Sequence, residues 1–456
     1  MKFFRLPENP RFTNKALILF LLPIVLEQFM MAGLSIADTL MVSTIGDKSI
    51  SDAIVAGVAN INRIDTFAKQ FFLAMAQGGS VLLSMYIGAK DQTQAQRSLK
   101  TNIHIVVLFG LALTALMILF KTQIINLLFG NAEQIVLDYS YSYFTVTALS
   151  YPFISLYYAG TASFRAMGES KIPSIAAVIM MVINLALKAL FIYVFGLGVQ
   201  GAALSTLIAM GITGITLILM LGSKKRKVSL RAVFKIDFGG GLARRILGVS
   251  IPNGLENAMF QLGALLIASL VAGLGTASIA ADQLARNISP IIHSVGTGFS
   301  AVAMMVVGQC MGAGKPDEAT MYTKHILKLD YLFTAVQGIF FMLILQPVVS
   351  IFNVSDEAKD LAFWIMVLYI IGSCLFYPTG FALPSALRGA GDTKFVMFIS
   401  SGSMLLFRVV AAYVFVCAFD LGVMGTWVAM VSDWVIRTLI FVIRFARGKW
   451  KNKKVI

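Results

Sequence analysis

The sequence contains few of the residues from which enzyme active sites and disulfide frameworks are built. It has 3 Cys and 3 His among 456 residues, and only 13% of its residues are charged. Because Cys310, Cys374 and Cys417 lie inside apolar runs at no metal-like spacing, we interpret them as packing residues. The chain also lacks the G-x-S-x-G, G-x-x-x-x-G-K-S/T and H-E-x-x-H sequences. We therefore expect a protein that is not an enzyme, has no cofactor and has no ATP site of its own.

Apolar residues, in contrast, make up 58% of the chain. Many lie in runs of about 20 residues, the length that crosses the roughly 30 Å hydrocarbon core of a bilayer. Such runs predict an all-α polytopic membrane protein whose surroundings are lipid. The twelve predicted spans cover residues 16–44, 52–86, 98–120, 136–160, 172–195, 199–221, 246–271, 277–310, 325–347, 361–386, 395–419 and 423–445.

Basic residues outnumber acidic ones, 37 to 22, and most lie between the predicted spans. If the amino terminus is cytoplasmic, the loops that carry most of the Lys and Arg face the cytoplasm, whereas Lys48, Lys121 and Lys359 face outward. By the positive-inside rule this asymmetry predicts that both termini are cytoplasmic. We expect a multi-pass protein of the plasma or inner membrane, and we assign its positive charge to topology rather than to nucleic-acid binding.

The two halves of the sequence resemble each other. "PIVLEQ" from Pro23 aligns with "PNGLEN" from Pro252, "YIGAKDQTQA" from Tyr86 with "CMGAGKPDEA" from Cys310, and "LGVQGAA" with "LGVMGTW". The predicted domains are an amino-terminal lobe of six spans (1–221), a basic cytoplasmic connector (222–245) and a carboxyl-terminal lobe of six spans (246–456). An even number of spans makes both lobes enter the membrane from the same side, which favours a substrate path between them.

In its motifs the chain resembles the MATE (multidrug and toxic compound extrusion) family. The resemblance is carried by "DTLMVSTIG", "YIGAKD", "FRAMGESKIP" and "FGLGVQGAA" and covers nearly the whole chain, and we favour the DinF-like branch over the NorM-like branch. It implies two pseudo-symmetric six-helix lobes in a V-shaped bundle. It also implies export of small amphipathic molecules, such as drugs and toxic compounds, by antiport with H⁺ or Na⁺. We expect the protein to be monomeric.

Asp38 lies in an apolar run, where an ionised side chain costs about 2.5 to 3.5 kcal/mol on insertion scales and should face a partner or water. The resemblance implies that Asp38 couples transport to H⁺ or to a Na⁺ bound near it, beside Asn184. Where the DinF-like branch carries a second acid, this chain has Lys188. Asp38 and Lys188 precede Gly46 and Gly196 by the same spacing, so we expect them to meet at one depth as an ion pair.

Glu27 and Glu256 occupy equivalent positions in the two halves, shortly after Pro23 and Pro252. Their sequence context leaves two alternatives open. They could form a symmetric ion-coupling pair that binds a cation or a proton. Alternatively, each carboxyl could hydrogen-bond the helix break that its proline creates.

Polar residues in the second, eighth and tenth spans predict a mixed-charge substrate cleft. We expect Asp65 to pair with Lys69, and Asp282 with Arg286, because each pair has the i, i+4 spacing of helix neighbours. Phe260 and Tyr377 occupy the positions where the NorM-like branch has acids, so we expect no second cation site there. The basic residues leave one alternative function, a flippase for a lipid-linked anionic or oligosaccharide precursor. The cleft residues are Asn60, Arg63, Asp65, Asp282, Arg286 and Tyr377.

Overall fold

The computed structural model describes residues 10–45, 48–130, 132–223, 228–230, 241–352, 354–453 and 455–456, without the side chains of 32, 35, 36, 38–40, 43 and 48–52. The described chain folds into helices and contains no strand, which confirms the all-α class. The helices are α1 (Asn14–Ser43), α2 (Lys48–Gly88), α3 (Gln92–Leu119), α4 (Lys121–Phe129), α5 (Gln134–Leu149), α6 (Tyr151–Ala166), α7 (Lys171–Ala189), α8 (Gly198–Leu221), α9 (Leu242–Ala272), α10 (Thr276–Ile292), α11 (Ser294–Gly312), α12 (Pro316–Ser350), α13 (Asp356–Tyr377), α14 (Leu383–Gly389), α15 (Thr393–Gly402), α16 (Val410–Cys417) and α17 (Gly422–Ala446).

Within the described ranges, 11 helical segments are long and apolar enough to cross a membrane. The predicted fourth span is formed instead by α5 and α6, which are 16 residues each and meet at Ser150. Pro152 explains the break, because its ring removes a backbone N–H and clashes with the carbonyl one turn earlier. The Ser150 hydroxyl donates to the carbonyl of Thr147 at 2.5 Å. The predicted span over 136–160 is therefore made of two helices, which together cover it.

The predicted eighth span is also interrupted. α10 ends at Ile292 and α11 begins at Ser294, with His293 between them and Pro290 inside the last turn of α10. Pro290 cannot donate a helical hydrogen bond, which weakens the helix in the turn that precedes its end. The interruption turns the His293 ring toward the interior of the bundle, where it contacts Tyr369 and Tyr377.

Among the described residues, one π-helical turn ends α7 and two others join consecutive helices directly. They cover Leu190–Val194 after α7, Pro378–Ala382 between α13 and α14, and Ser403–Val409 between α15 and α16. Such turns insert one extra residue into a helix and are frequent at functional sites. Tyr377 immediately precedes the second turn and Arg408 lies within the third, so two residues of the site described below sit at these irregularities.

The chain packs into two compact units. The first contains residues up to Gln28, 84–90 and 252–456, and the second contains 29–83 and 91–251. The beginning of α1 belongs to the first unit because Leu17, Phe20 and Ile24 are buried in one apolar cluster with Phe299 of α11. A second cluster of that unit surrounds Trp434. The lobe boundaries drawn from the sequence repeat stay a prediction.

Candidate functional site

The second unit encloses a cavity of about 310 Å³, which we call the polar cavity. Side chains of α1, α2, α5, α7 and α8 line it, and its charged groups come from α2 and α7. Polar groups are expensive in the apolar interior of a bundle, so their convergence on one cavity marks a candidate functional site. The polar lining consists of Asn62, Asp65, Thr66, Lys69, Tyr143, Thr147, Ser150, Lys188 and Thr206.

Asp65 and Lys69 form an ion pair in the polar cavity. The Lys69 Nζ lies 2.5 Å from the Asp65 Oδ2, which confirms the predicted i, i+4 pair. Asp65 is only 6% exposed, and among the described residues its Oδ1 atom accepts no hydrogen bond. The carboxylate therefore keeps one oxygen available to a proton, a cation or a substrate donor.

Lys188 also lines the polar cavity and is 2% exposed. One turn earlier on α7, the Asn184 Nδ2 donates to the Thr206 Oγ1 of α8 at 3.0 Å, which fixes the orientation of the amide beside the cavity. The structure thus brings Asn184 and Lys188 to the same region as the Asp65–Lys69 pair. Asp38 belongs to α1, but its side chain lies outside the described part of the chain. Its pairing with Lys188 and a Na⁺ site near it stay predictions.

Asn60 and Arg63 lie on α2 away from the polar cavity. Asn60 is half-buried and lines a separate space beside residues 126–130 and 132, whereas Arg63 is exposed. Neither is brought together with the other predicted cleft residues.

The first unit encloses a cavity of about 250 Å³, which we call the aromatic cavity. Tyr377 stacks on Phe381 with ring centroids 4.4 Å apart and on His293 with centroids 5.4 Å apart. The His293 Nδ1 lies 2.6 Å from the Tyr369 hydroxyl, so the imidazole is held by a hydrogen bond and a ring contact. The side chains that define this cavity are Phe260, Arg286, His293, Tyr369, Tyr377, Phe381, Arg408, Trp427 and Trp434.

Beside the aromatic cavity, both carboxylate oxygens of Asp282 accept hydrogen bonds from the protein. The Arg286 Nε donates to the Asp282 Oδ2 at 2.6 Å, which confirms the second predicted i, i+4 pair. The Trp427 Nε1 donates to the other oxygen of Asp282 at 3.0 Å. Asp282 therefore has no oxygen left for a ligand, and its charge neutralises that of Arg286.

A second carboxylate, that of Asp433, was not among the site residues predicted from the sequence. It is fully buried on α17, one turn before Arg437, and its Oδ2 lies 3.9 Å from the Arg437 Nη1. Among the described residues neither oxygen of Asp433 accepts a hydrogen bond. The i, i+4 spacing of Asp433 and Arg437 was the signal that could have revealed this pair.

Glu256 is paired across two helices. The Arg388 Nη2 of α14 donates to its Oε1 at 2.5 Å, and the carboxylate is 4% exposed. Neither alternative drawn from the sequence included this pair, which joins residues 132 positions apart. Glu27, at the equivalent position of the first half, is also buried in the first unit, at 6% exposure. The role of Glu27 and Glu256 in ion coupling stays a prediction.

A bundle of apolar helices that buries two cavities lined by ionisable groups defines the class of a polytopic membrane transporter. The chain belongs to the MatE family, whose family model matches residues 23–190 and 252–414. The two matches begin at Pro23 and Pro252, the same prolines that the repeat aligns. The match confirms the family resemblance, whereas the assignment to the DinF-like branch stays a prediction.

Relatives share this fold along most of their length. The chain is 26% identical to the probable multidrug resistance protein NorM of Thermotoga maritima, covering 97% of this chain and 94% of that one. It is 25% identical to the FAD transporter of Shewanella oneidensis, covering 77% and 76%. A solved MOP superfamily transporter from Pyrococcus furiosus, described as having a binding pocket of reverse polarity, superimposes with a TM-score of 0.88 at 20% identity over 96% of this chain and 97% of that one.

Proposed function

We propose that the protein is a secondary active exporter of small amphipathic molecules that exchanges them for H⁺ or Na⁺. Membership of the MatE family and the similarity to the Thermotoga maritima multidrug resistance protein support export. The sequence contains no phosphate-binding G-x-x-x-x-G-K-S/T loop, which favours an ion gradient as the energy source. We place the protein in the plasma or inner membrane with both termini cytoplasmic, on the basis of its basic loops, and we propose that it is a monomer.

The observation that carries this proposal is the polar cavity. It contains Lys69 and Lys188 but, among the described residues, only one carboxylate, that of Asp65. An H⁺ or Na⁺ that binds a carboxylate here must compete with an ammonium group for it. Binding of the ion and pairing with lysine are then mutually exclusive states, and a substrate that prefers one state is coupled to the ion.

Reconstituted vesicles test the proposal directly. The full chain is incorporated into proteoliposomes that hold cationic, neutral and anionic amphipathic dyes of similar size. A H⁺ gradient and a Na⁺ gradient are then imposed separately. We expect one of the gradients to drive export of at least one dye, and the exposed-residue variant Arg97→Gln to export as the parent does. Equal dye movement with and without both gradients would overturn the proposal.

The basic lining of both cavities favours the flippase as a second candidate. Lys69 and Lys188 in the polar cavity, with Arg408 in the aromatic cavity, suit an anionic headgroup. The same vesicles, carrying a short-chain fluorescent anionic lipid, distinguish the two functions. Flipping would expose lipid of the inner leaflet to a membrane-impermeant reductant, whereas export of soluble dyes would leave that lipid protected.

A further inference from the structure

We infer that the aromatic cavity is the binding site for a planar aromatic anion, with Arg408 as the group that binds its negative charge. This inference rests on the proposed function, because it names the chemical class of the exported molecule. It depends on three observations: an unneutralised guanidinium, aromatic walls whose faces are already in contact with arginines, and a volume that suits a small ring system.

The first observation concerns charge. The charged groups that interact electrostatically with Arg408 include Asp433, Arg286 and Arg437. Asp282 neutralises Arg286, and Glu256, which also interacts with Arg437, is paired with Arg388. Asp433 is then the carboxylate left for Arg408 and Arg437, and one carboxylate shared by two guanidiniums leaves one positive charge in excess between these three groups.

Hydrogen bonding leads to the same conclusion. Within the described part of the chain, the Nε of Arg408 and the Nε and Nη1 of Arg437 donate to no acceptor. Arg437 uses its Nη2 to bind the Ser400 hydroxyl at 3.1 Å. Buried N–H groups of a guanidinium without acceptors are costly, and a carboxylate or phosphate that receives them forms a strong charge-assisted hydrogen bond. Arg408 is the one of the two that lines the cavity.

The second observation excludes the opposite charge. Aromatic cavities often bind organic cations through the faces of their rings. Here the Arg437 guanidinium lies over Phe260 at 5.1 Å and over Phe381 at 4.8 Å, and Arg286 lies over Trp427 at 6.0 Å. The protein's own cations therefore take the attractive ring faces, and a cationic ligand would meet like charge.

The third observation concerns shape. Tyr377 and Phe381 stack nearly parallel, with an angle of 16° between their planes, and Trp434 stands perpendicular to Phe381 at 90°. Since His293, Arg437 and the two rings themselves cover the faces of Tyr377 and Phe381, a flat ligand would meet these pre-ordered rings by edge-to-face contact. A cavity of about 250 Å³ is below the size typical for drug-sized ligands, so we expect a molecule of one or two fused rings.

Tryptophan fluorescence of the purified full chain tests the inference. Trp427 and Trp434 line the cavity, whereas Trp364 is 54% exposed on α13. The probes are para-nitrobenzoate, para-nitrobenzamide and para-nitrobenzylammonium, which quench tryptophan and differ mainly in charge. We expect the anion to quench the fluorescence saturably and to bind with the highest affinity of the three probes. That quenching should be reduced in Trp434→Phe and retained in Trp364→Phe.

Two variants address the role of Arg408. In Arg408→Gln we expect the affinity for para-nitrobenzoate to fall about tenfold or more, the effect of losing one charge-assisted contact, with the affinity for the neutral amide unchanged. Phe260→Glu keeps every arginine and adds a competing carboxylate beside Arg437. It should therefore also lower the affinity for para-nitrobenzoate and raise the affinity for para-nitrobenzylammonium. Arg97→Gln, which changes an exposed arginine of the other unit, is the matched control and should bind all three probes as the parent does.

The inference is overturned if the ammonium probe binds as tightly as the anion, or if no probe gives saturable quenching. It is also overturned if Phe260→Glu leaves the preference for the anion intact. Because binding is measured without any ion gradient, anion binding without gradient-driven export would contradict the proposed function alone. Gradient-driven export with anion affinity unchanged in Arg408→Gln would contradict the inference alone.

Discussion

Gly88 at the end of α2 and Gly312 at the end of α11 each lie against the backbone of the other's helix. A Cβ on Gly88 would overlap the carbonyl oxygen of Gln309, and a Cβ on Gly312 would overlap that of Met85. These glycines occupy equivalent positions of the repeat motifs "YIGAKD" and "CMGAGK". The duplicated sequence thus produces a reciprocal close crossing of two helices within the first unit, where only glycine allows the approach.

Alanine at this crossing should destabilise the protein. We expect Gly312→Ala to lower the free energy of unfolding by about 2 to 3 kcal/mol, because the obstructing atom belongs to backbone and cannot rotate away. Thermal unfolding in detergent gives the measurement. Gly402→Ala is the matched control, since a Cβ there meets nothing within 4 Å and alanine favours helix. Equal stability of the two variants would contradict the crossing.

The Glu256–Arg388 pair predicts strong energetic coupling. Glu256→Gln leaves the guanidinium of Arg388, whose side chain is 16% exposed, without its partner. We expect a loss of about 3 kcal/mol, the lower end of the range for breaking a buried pair. The double variant Glu256→Gln with Arg388→Gln should lose less than the sum of the two single variants. Additive losses in this double-mutant cycle would show that the two groups do not interact.

Lys188 and Asp38 provide a prediction about coupling. If Lys188 competes with the coupling ion for a carboxylate, Lys188→Met and Asp38→Asn should each abolish gradient-driven export. The double variant should recover stability but not coupling, since neither buried charge is then left alone. Export assays and unfolding curves on the three variants test both parts. A Lys188→Met protein with full gradient-driven export would refute the role of the lysine.

Features that depend on residues close together in the sequence were predicted better than contacts between residues far apart in the sequence. The spans followed from apolar runs of bilayer length, and the Asp65–Lys69 and Asp282–Arg286 pairs followed from one turn of helix. The breaks at Ser150 and His293 were missed, although Pro152 and Pro290 signalled them, because hydropathy averages over a window and does not register backbone geometry.

The contacts that shape the candidate site were not predictable in the same way. Arg388 pairs with Glu256 from another helix, and Trp427 donates to Asp282 over a sequence separation of 145. Nothing in either local sequence selects the partner, which is fixed only when the helices pack. The aromatic cavity likewise gathers Phe260, Tyr377 and Arg408 from three separate helical segments. Gly296 lies against the ring of Tyr377 in the same way, a contact between residues distant in the sequence.

The most direct test of antiport reverses the driving force. Proteoliposomes are prepared with equal pH and equal Na⁺ on both sides, and a gradient of a transported dye is imposed as the only source of energy. Coupling between two ligands is reciprocal, so dye flowing down its gradient must move H⁺ or Na⁺ in the opposite direction. We predict a pH change or a Na⁺ flux that appears with the parent protein and is absent in Lys188→Met. Dye flux through the parent protein that moves neither ion would contradict the account.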